Sequence, residues 1–212
     1  MAQWQERAEL LFKEEGINKL KNANILVVGL GGVGSFAAEF LVRAGIGKMT
    51  IVDGDTVDIT NINRQLPALH STIGKTKVDI VASRLLDINP ELDCIDSVTP
   101  KLNLIISAKR KKVKVISCMG AGGKYDSSKV FVRDISNTKD CPLAKNIRKR
   151  LKAVKIDKGV KAVFSVEIPE PSSLKMTDGK NYKRSFYGTN SWMPAQFGLQ
   201  AAETVVRYLL EK

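Results

Sequence analysis

The chain predicts an α/β fold on a mostly parallel sheet, and three observations carry that prediction. An apolar run of strand length, "NILVV", ends directly on Gly29, Gly31 and Gly34 in the spacing G-x-G-x-x-G. A helix-spaced apolar stripe follows in "GGVGSFAAEFLVRAG", and a second strand-like run, "KMTIVD", comes next. Parallel strands need a crossover connection, so this order of strand, glycine turn, helix and strand makes a βαβ unit.

The remaining elements are read by the same periodicities. "LLFKEEGINKLKNA" is a short amphipathic lead-in helix, and the unbroken apolar character of "NILVV" predicts a strand buried on both faces. The helix after the turn should present Val33, Phe36, Ala37, Phe40, Leu41 and Ala44 to the core and stop at Gly45. "KTKVDIVASRLLDINP" places Val78, Val81, Leu85 and Ile88 on one stripe with Pro90 closing it, and "TPKLNLIISAKRKK" has Pro100 in a first-turn position. "VKVISCMG", "KVFVRDI" and "AVFSVE" read as strands, "PLAKNIRKRLKAV" as a basic helix and "MPAQFGLQAAETVVRYLLEK" as a closing amphipathic helix. Richness in Pro, Ser, Gly, Asn and Lys over 168–191 predicts a long functional or mobile loop. One junction is too short: the five residues between Pro90 and Asp96 cannot supply a strand, a crossover and another strand, so either the protein has a deletion here or, the preferred reading, residues are absent between Asp93 and Cys94.

A length of 212 residues predicts a single domain, with a nucleotide-binding half over 1–101 and a C-terminal half over 102–212. No apolar run approaches the ~18 residues of a membrane span. The N-terminal stretch carries acidic residues, unlike a secretory signal or transit peptide, so the expected compartment is the cytoplasm, with no membrane partner. Cys94, Cys118 and Cys141 form no C-x-x-C pair, which argues against a disulfide framework or a cysteine zinc site and for buried, reduced thiols. The net charge of +12 is unevenly spread. Residues 101–161 hold 18 basic and 4 acidic side chains, whereas residues 1–100 hold 10 and 13. The densest parts are "KRKKVK" at 109–114 and "KNIRKRLKAVK" at 145–155. Such a segment is either a solvated surface or the footprint of a polyanion such as RNA.

In a Rossmann-type turn the glycines let a phosphate approach a helix N-terminus, and the expected acidic residue for a ribose stands at Asp53, 24 positions after Gly29. A dinucleotide needs little more. "DGDTVDITNINRQ" nevertheless adds Asp55, Asn61, Asn63 and Arg64, and Lys77 follows at a helix start. A triphosphate, with about four negative charges at pH 7, calls for such cations, Arg64 as a planar fork and Lys77 as a point charge. Asp96 at a strand end would then hold Mg²⁺, which takes one or two carboxylates plus phosphate oxygens.

Across 7–101, the stretches "GLGGVGS", "IVDGDTVDITNINRQ", "GKTKVDIVASRLLDINP" and "IDSVTPK" resemble the adenylating domain of the ThiF, MoeB and HesA family, relatives of ubiquitin-activating enzymes. The resemblance implies a Rossmann-like three-layer fold with a C-terminal extension. It also implies ATP and Mg²⁺, attack of a carboxylate on the α-phosphate, an acyl-adenylate and released pyrophosphate. By motif position Gly29, Gly31, Gly32 and Gly34 would cradle the nucleotide and Asp53, with Asp55 beside it, would bind ribose. Asn61, Arg64 and Lys77 would bind phosphates, and Asp96 the metal. Arg7 would reach the partner subunit's ATP in a homodimer.

Members that activate ubiquitin-like sulfur carriers commonly bear paired C-x-x-C zinc motifs, which this sequence lacks, and many have a capturing cysteine, for which Cys118 and Cys141 are the available positions. "VISCMGAGGKYDSSKVFVRDISNTKDCPLAKNIRKRLK", "GVKAVFSVEIP" and "KRSFYGTNSWMPAQFG" resemble instead the tRNA threonylcarbamoyladenosine dehydratases. That likeness implies ATP-dependent cyclisation of threonylcarbamoyladenosine in tRNA, with the basic segment holding the tRNA backbone. It leaves open a sulfur-handling or electron-transfer protein partner. The alternatives are a carrier-protein adenylyltransferase, a NAD(P) oxidoreductase and a non-enzymatic RNA-binding module. His70 is expected to be structural.

Overall fold

A computed structural model describes residues 3–96, 101–177 and 185–211, the side chains of Cys94, Ile95 and Asp96 excepted. The chain divides into two compact units, Met1–Thr99 with Ala202–Lys212, and Pro100–Ala201.

The first unit begins with helix α1 (Glu6–Lys21), longer than its apolar pattern suggested and interrupted at Lys13, where φ is 62°. Strand β1 (Asn24–Val28), helix α2 (Gly34–Arg43) and strand β2 (Lys48–Val52) form the expected βαβ unit, followed by helix α3 (Lys77–Ile88) and strand β3 (Asp93–Asp96). The strands are parallel in the order β1-β2-β3, with Val28 opposite Val52 and Ile51 opposite Asp96. Leu20, Leu41, Ile46, Met49, Ile51, Val81 and Leu85 form the core, and Ala202 and Val206 join it.

Two expectations are corrected here. β1 is not buried on both faces: it pairs only with β2 among the described strands, and Leu26 is 53% exposed. An apolar run reports the capacity for burial and not the number of covering layers. On α2 the buried face is turned to Ala37, Ala38, Leu41 and Val42, while Phe36 and Phe40 are half-buried and pack on each other at 6.5 Å between centroids. Small side chains let the helix approach the sheet closely, which displaces the bulky rings to its rim. At the short junction β3 runs from Asp93 to Asp96, with Asp93 and Cys94 opposite Lys48 and Met49.

Glu39, on the buried side of α2, is the second surprise of this helix. Its carboxylate accepts hydrogen bonds from Arg43 Nε at 2.9 Å and from Arg84 on α3 at 2.5 and 3.1 Å. Burial alone would raise the pKa of Glu39, but the two guanidinium groups outweigh it and hold it below the usual carboxylate range.

The second unit contains helix α4 (Lys101–Arg110), strands β4 (Ile116–Cys118) and β5 (Val130–Asp134), helix α5 (Pro142–Ala153) and strand β6 (Lys161–Ser165). Its sheet has the order β4-β6-β5, parallel between β4 and β6 and antiparallel between β5 and β6. Ile105, Ile135, Ala144, Ile147, Leu151, Ala162 and Phe164 form a separate core, and the stripe Ala144, Ile147, Leu151 fixes the buried face of α5. The stretch expected to be one long loop instead contains strands β7 (Leu174–Met176) and β8 (Ser185–Tyr187), paired antiparallel; residues 178–184 lie outside the described residues. Helix α6 (Trp192–Leu210) starts in this unit and ends in the first. Among the described residues no helix is long and apolar enough to cross a membrane.

Candidate active site

The turn after β1 is shaped by its glycines. Gly29 has φ +87°, and its N–H donates to Val52 O at 2.6 Å, joining the ends of β1 and β2. A Cβ on Gly34 would collide with the Gly29 carbonyl oxygen, so the start of α2 lies against the turn at backbone distance. Gly31 and Gly32 lie between them, half-buried. Gly31 O accepts from Ser35 N at 3.1 Å and Ser35 Oγ at 2.6 Å, which closes the first helical turn.

Asp53, just past β2, is the clasp of this turn. One carboxylate oxygen accepts from Leu30 N at 2.5 Å and the other from Asp55 N at 2.8 Å. Asp55 in turn meets Lys77: backbone to backbone at 3.0 Å, and carboxylate to ammonium at 3.0 Å. Lys77 opens α3 with its side chain only 6% exposed, whereas Asp55 is 74% exposed. A buried ammonium whose partner faces solvent can turn to a second anion at little cost.

Asp58 lies close enough to feel both cations. Hydrogen bonds from Thr60, first its hydroxyl and then its N–H, lower the Asp58 pKa, and the charges of Lys77 and Arg64 add to this. Arg64 is held by Thr60 O at 2.6 Å and Asn63 Oδ1 at 2.8 Å. Asn61 is buried and caps its own turn, its Oδ1 accepting from Asp58 N at 3.3 Å. The next residue, Gln65, returns to the glycines: a Cβ on Gly31 would lie 3.8 Å from its amide nitrogen. Gln65 Oε1 is buried with no hydrogen-bond partner among the described residues, an unsatisfied acceptor beside the turn.

Contacts thus run from the glycine turn through Asp53 and Asp55 to Lys77, Asp58 lies within electrostatic reach of Lys77 and Arg64, and Gln65, next to Arg64 in the chain, lies beside Gly31. Of the sequence-predicted residues, Asn61 joins this group through Asp58, and Arg7 and Asp96 stand outside it. Arg7 is exposed on α1 with no hydrogen bond or ion pair among the described residues. Asp96 ends β3, which lies across β2 from β1, about 10 Å from the β1 line at the usual strand spacing. Its side chain lies outside the described residues. Gln65 and Asp58 were missed as site residues, although both lie inside the quoted motif; spacing alone does not tell a turn's scaffold from its ligands. His70 is exposed in a short 3₁₀ turn.

In the second unit the two basic stretches meet. Lys109 and Arg110 from the end of α4, and Lys155 and Lys158 from the segment after α5, line one open cleft of about 350 Å³ with Val154, Ile156 and Asp157. Lys109 Nζ donates to Gly159 O at 3.2 Å across it. Cys118 and Cys141 are poorly placed to act as nucleophiles. Burial pushes the Cys118 thiol up to about 11, and Cys141 is buried at 6% exposure. Lys124, invisible as special in the sequence, is 3% exposed, and its ammonium reaches Ser165 O at 3.1 Å.

A glycine turn clasped by a carboxylate, with a buried lysine and an arginine in the segments beside it, has the character of a nucleotide-binding site. The chain belongs to the ThiF family, whose profile matches residues 5–212. It is 41% identical over 189 residues to the tRNA threonylcarbamoyladenosine dehydratase of Bacillus subtilis, covering 77% of this chain and 74% of that one. The Escherichia coli protein of the same name is 35% identical over 256 aligned positions, covering 99% of this chain and 95% of its own. Since this chain has 212 residues, the E. coli protein carries segments it lacks. A crystal structure of that E. coli protein, TcdA, in complex with ATP, superposes with a TM-score of 0.86 at 31% identity, covering 100% of this chain and 96% of that one. The α/β fold of the ThiF type is thereby established.

Proposed function

We propose that the chain is an ATP-dependent tRNA-modifying enzyme that adenylates the carboxylate of threonylcarbamoyladenosine and closes it to a ring with loss of water. The observation that carries this reading is likeness along the whole chain to a dehydratase of that name in complex with ATP. The chain of hydrogen bonds from the glycine turn through Asp53 and Asp55 to Lys77 supports it from the residues upward. The two units act as one adenylating enzyme, the first holding ATP and the second the tRNA.

A carboxylate is a poor electrophile, and transfer of AMP turns its oxygen into part of a good leaving group. The backbone of Gly29, Gly31, Gly32 and Gly34 holds the phosphates at the start of α2. Asp53 keeps that backbone in place while its remaining lone pairs face the ribose, and Gln65 Oε1 gains the donor it lacks. Lys77 exchanges Asp55 for a phosphate and, with Arg64, stabilises charge developing on the leaving pyrophosphate. Asn61 shapes the turn that carries Arg64. Ring closure by a group of the same side chain then needs no enzyme thiol, because proximity replaces it; the high pKa of Cys118 agrees with this.

Mg²⁺ fits the type of residue at Asp96, which would hold it together with phosphate oxygens and let it neutralise phosphate charge. Arg7 reaches the partner subunit's ATP in a homodimer. The support is the exposure of Trp4, Leu10 and Leu11 on and beside α1, at 43%, 71% and 74%, an apolar surface that a second copy would cover. The site of action is the cytoplasm.

The test is mass spectrometry of tRNA nucleosides after incubation with ATP. Loss of water from threonylcarbamoyladenosine is expected. Intact nucleoside, together with pyrophosphate exchange stimulated by a small carrier protein ending in Gly-Gly, would replace this reading by carrier-protein adenylation.

A further inference from the structure

In the second unit two aromatic side chains are left open to solvent on a braced backbone. Tyr125 is 61% exposed and Trp192 is 51% exposed. They are neighbours: the Trp192 indole Nε1–H donates to the Tyr125 carbonyl at 2.8 Å. The backbone beneath Tyr125 is fixed from several sides. Glu167 accepts from Tyr125 N at 3.0 and 3.1 Å and from Asp126 N at 2.9 Å. Asn190 donates to Lys124 O at 2.8 Å while its own oxygen accepts from Met193 N at 2.9 Å, so one amide joins the 124–126 segment to the start of α6. Gly123 exchanges 2.7 Å hydrogen bonds with Gly188 and Glu170 on either side. The polar edge of Trp192 is thus taken up by the protein, while about half or more of each residue stays open to solvent. Neither ring packs against another aromatic among the described residues.

The occupant is indicated by charge. The unit that carries these rings has 22 Lys and Arg against 7 Asp and Glu over 100–201, which suits a polyanion and repels a basic protein surface. A polyanion that also offers flat apolar faces is a single-stranded nucleic acid, whose unpaired bases stack on aromatic side chains. We propose that Tyr125 and Trp192 form a stacking platform for an unpaired base of the RNA substrate. This rests on the tRNA reading above and adds to it a site for a base, distinct from the cationic cleft that suits the backbone.

The experiment uses the full chain with Trp4→Phe, which leaves Trp192 as its sole tryptophan. It is titrated with an RNA hairpin carrying an unpaired loop adenine, and with the same hairpin made abasic at that position. Stacking quenches Trp192 fluorescence with the intact hairpin and not with the abasic one. In the Trp192→Ala and Tyr125→Ala variants, affinity for the intact hairpin falls by about 5- to 150-fold, the range for one lost base stack. Affinity for the abasic hairpin and the salt slope stay unchanged, and Trp192→Phe, which keeps a ring without the N–H, retains most of the binding. Equal losses for both hairpins indicate a merely structural role and overturn the platform. A changed oligomeric state with RNA affinity intact overturns it in favour of a second copy. Binding of both hairpins by all variants alike removes the platform and leaves the tRNA reading standing, whereas no binding by the parent chain removes both.

Discussion

Replacing Gly34 by alanine should separate the phosphate cradle from the rest of the fold. The added methyl would collide with the Gly29 carbonyl oxygen, a backbone atom that cannot rotate away. Relief requires either a shift of the α2 N-terminus or a change at Gly29, whose φ of +87° and 2.6 Å bond to Val52 O already hold the turn. Forced overpacking of this kind costs about 1–3 kcal/mol. Because the strain falls on the helix start proposed to hold the phosphates, ATP affinity should fall by about tenfold or more, each factor of ten corresponding to about 1.4 kcal/mol. Gly31→Ala is the control, since its methyl would meet nothing closer than the Gln65 amide at 3.8 Å and φ there is ordinary. Its stability should stay within about 0.5 kcal/mol of the parent. Urea denaturation gives the stability and equilibrium binding of labelled ATP the affinity. Equal behaviour of the two variants in both assays would refute the steric argument.

Three further predictions concern charge. The lowered pKa of Glu39 contributes stability that is complete above its unfolded value near 4.5 and is lost as pH falls through the folded one. The denaturation midpoint should therefore drop below pH 4.5, and Glu39→Gln should lower the unfolding free energy by about 1–2 kcal/mol at pH 7 while flattening part of the acid limb; an unaltered acid limb speaks against this. Substituting Lys149 and Arg150 together should weaken tRNA binding and reduce the salt slope by up to about 2, one per lost phosphate contact, in filter binding at several salt concentrations. An unchanged slope places the RNA elsewhere. Cys118, with its thiol near 11, should resist iodoacetamide at pH 8, and Cys118→Ser should keep its ATP-dependent turnover; rapid alkylation with loss of activity would restore a thiol to the mechanism.

What the sequence disclosed follows from what leaves a local mark. The glycine spacing, the apolar period of α3 and the clustering of Lys and Arg are local, and β1-α2-β2 was legible from them. The face of α2 was not, because Ala37 and Ala38 outrank Phe36 and Phe40 only through the closeness of a sheet that no helical period records. Pairing also escaped notice: Asp55 and Lys77 were both visible, 22 residues apart, but their 3.0 Å ion pair belongs to the tertiary structure. Gln65 and Lys124 bear no signal of their own, since burial of a polar side chain depends on which segments close over it. The short strands β7 and β8 were hidden by a loop-like composition, since three paired residues are too few to establish an alternating pattern.

The division of α6 between the units has a consequence for biosynthesis. Ala202 and Val206 are part of the hydrophobic core around β1 and β2, yet nearly all of the second unit is translated before them. A ribosome therefore releases the nucleotide-binding segment well before that segment can finish packing. The second unit, continuous in sequence from 100 to 201, is free to fold during translation while the first waits for its closing helix, a long-range contact that slows folding.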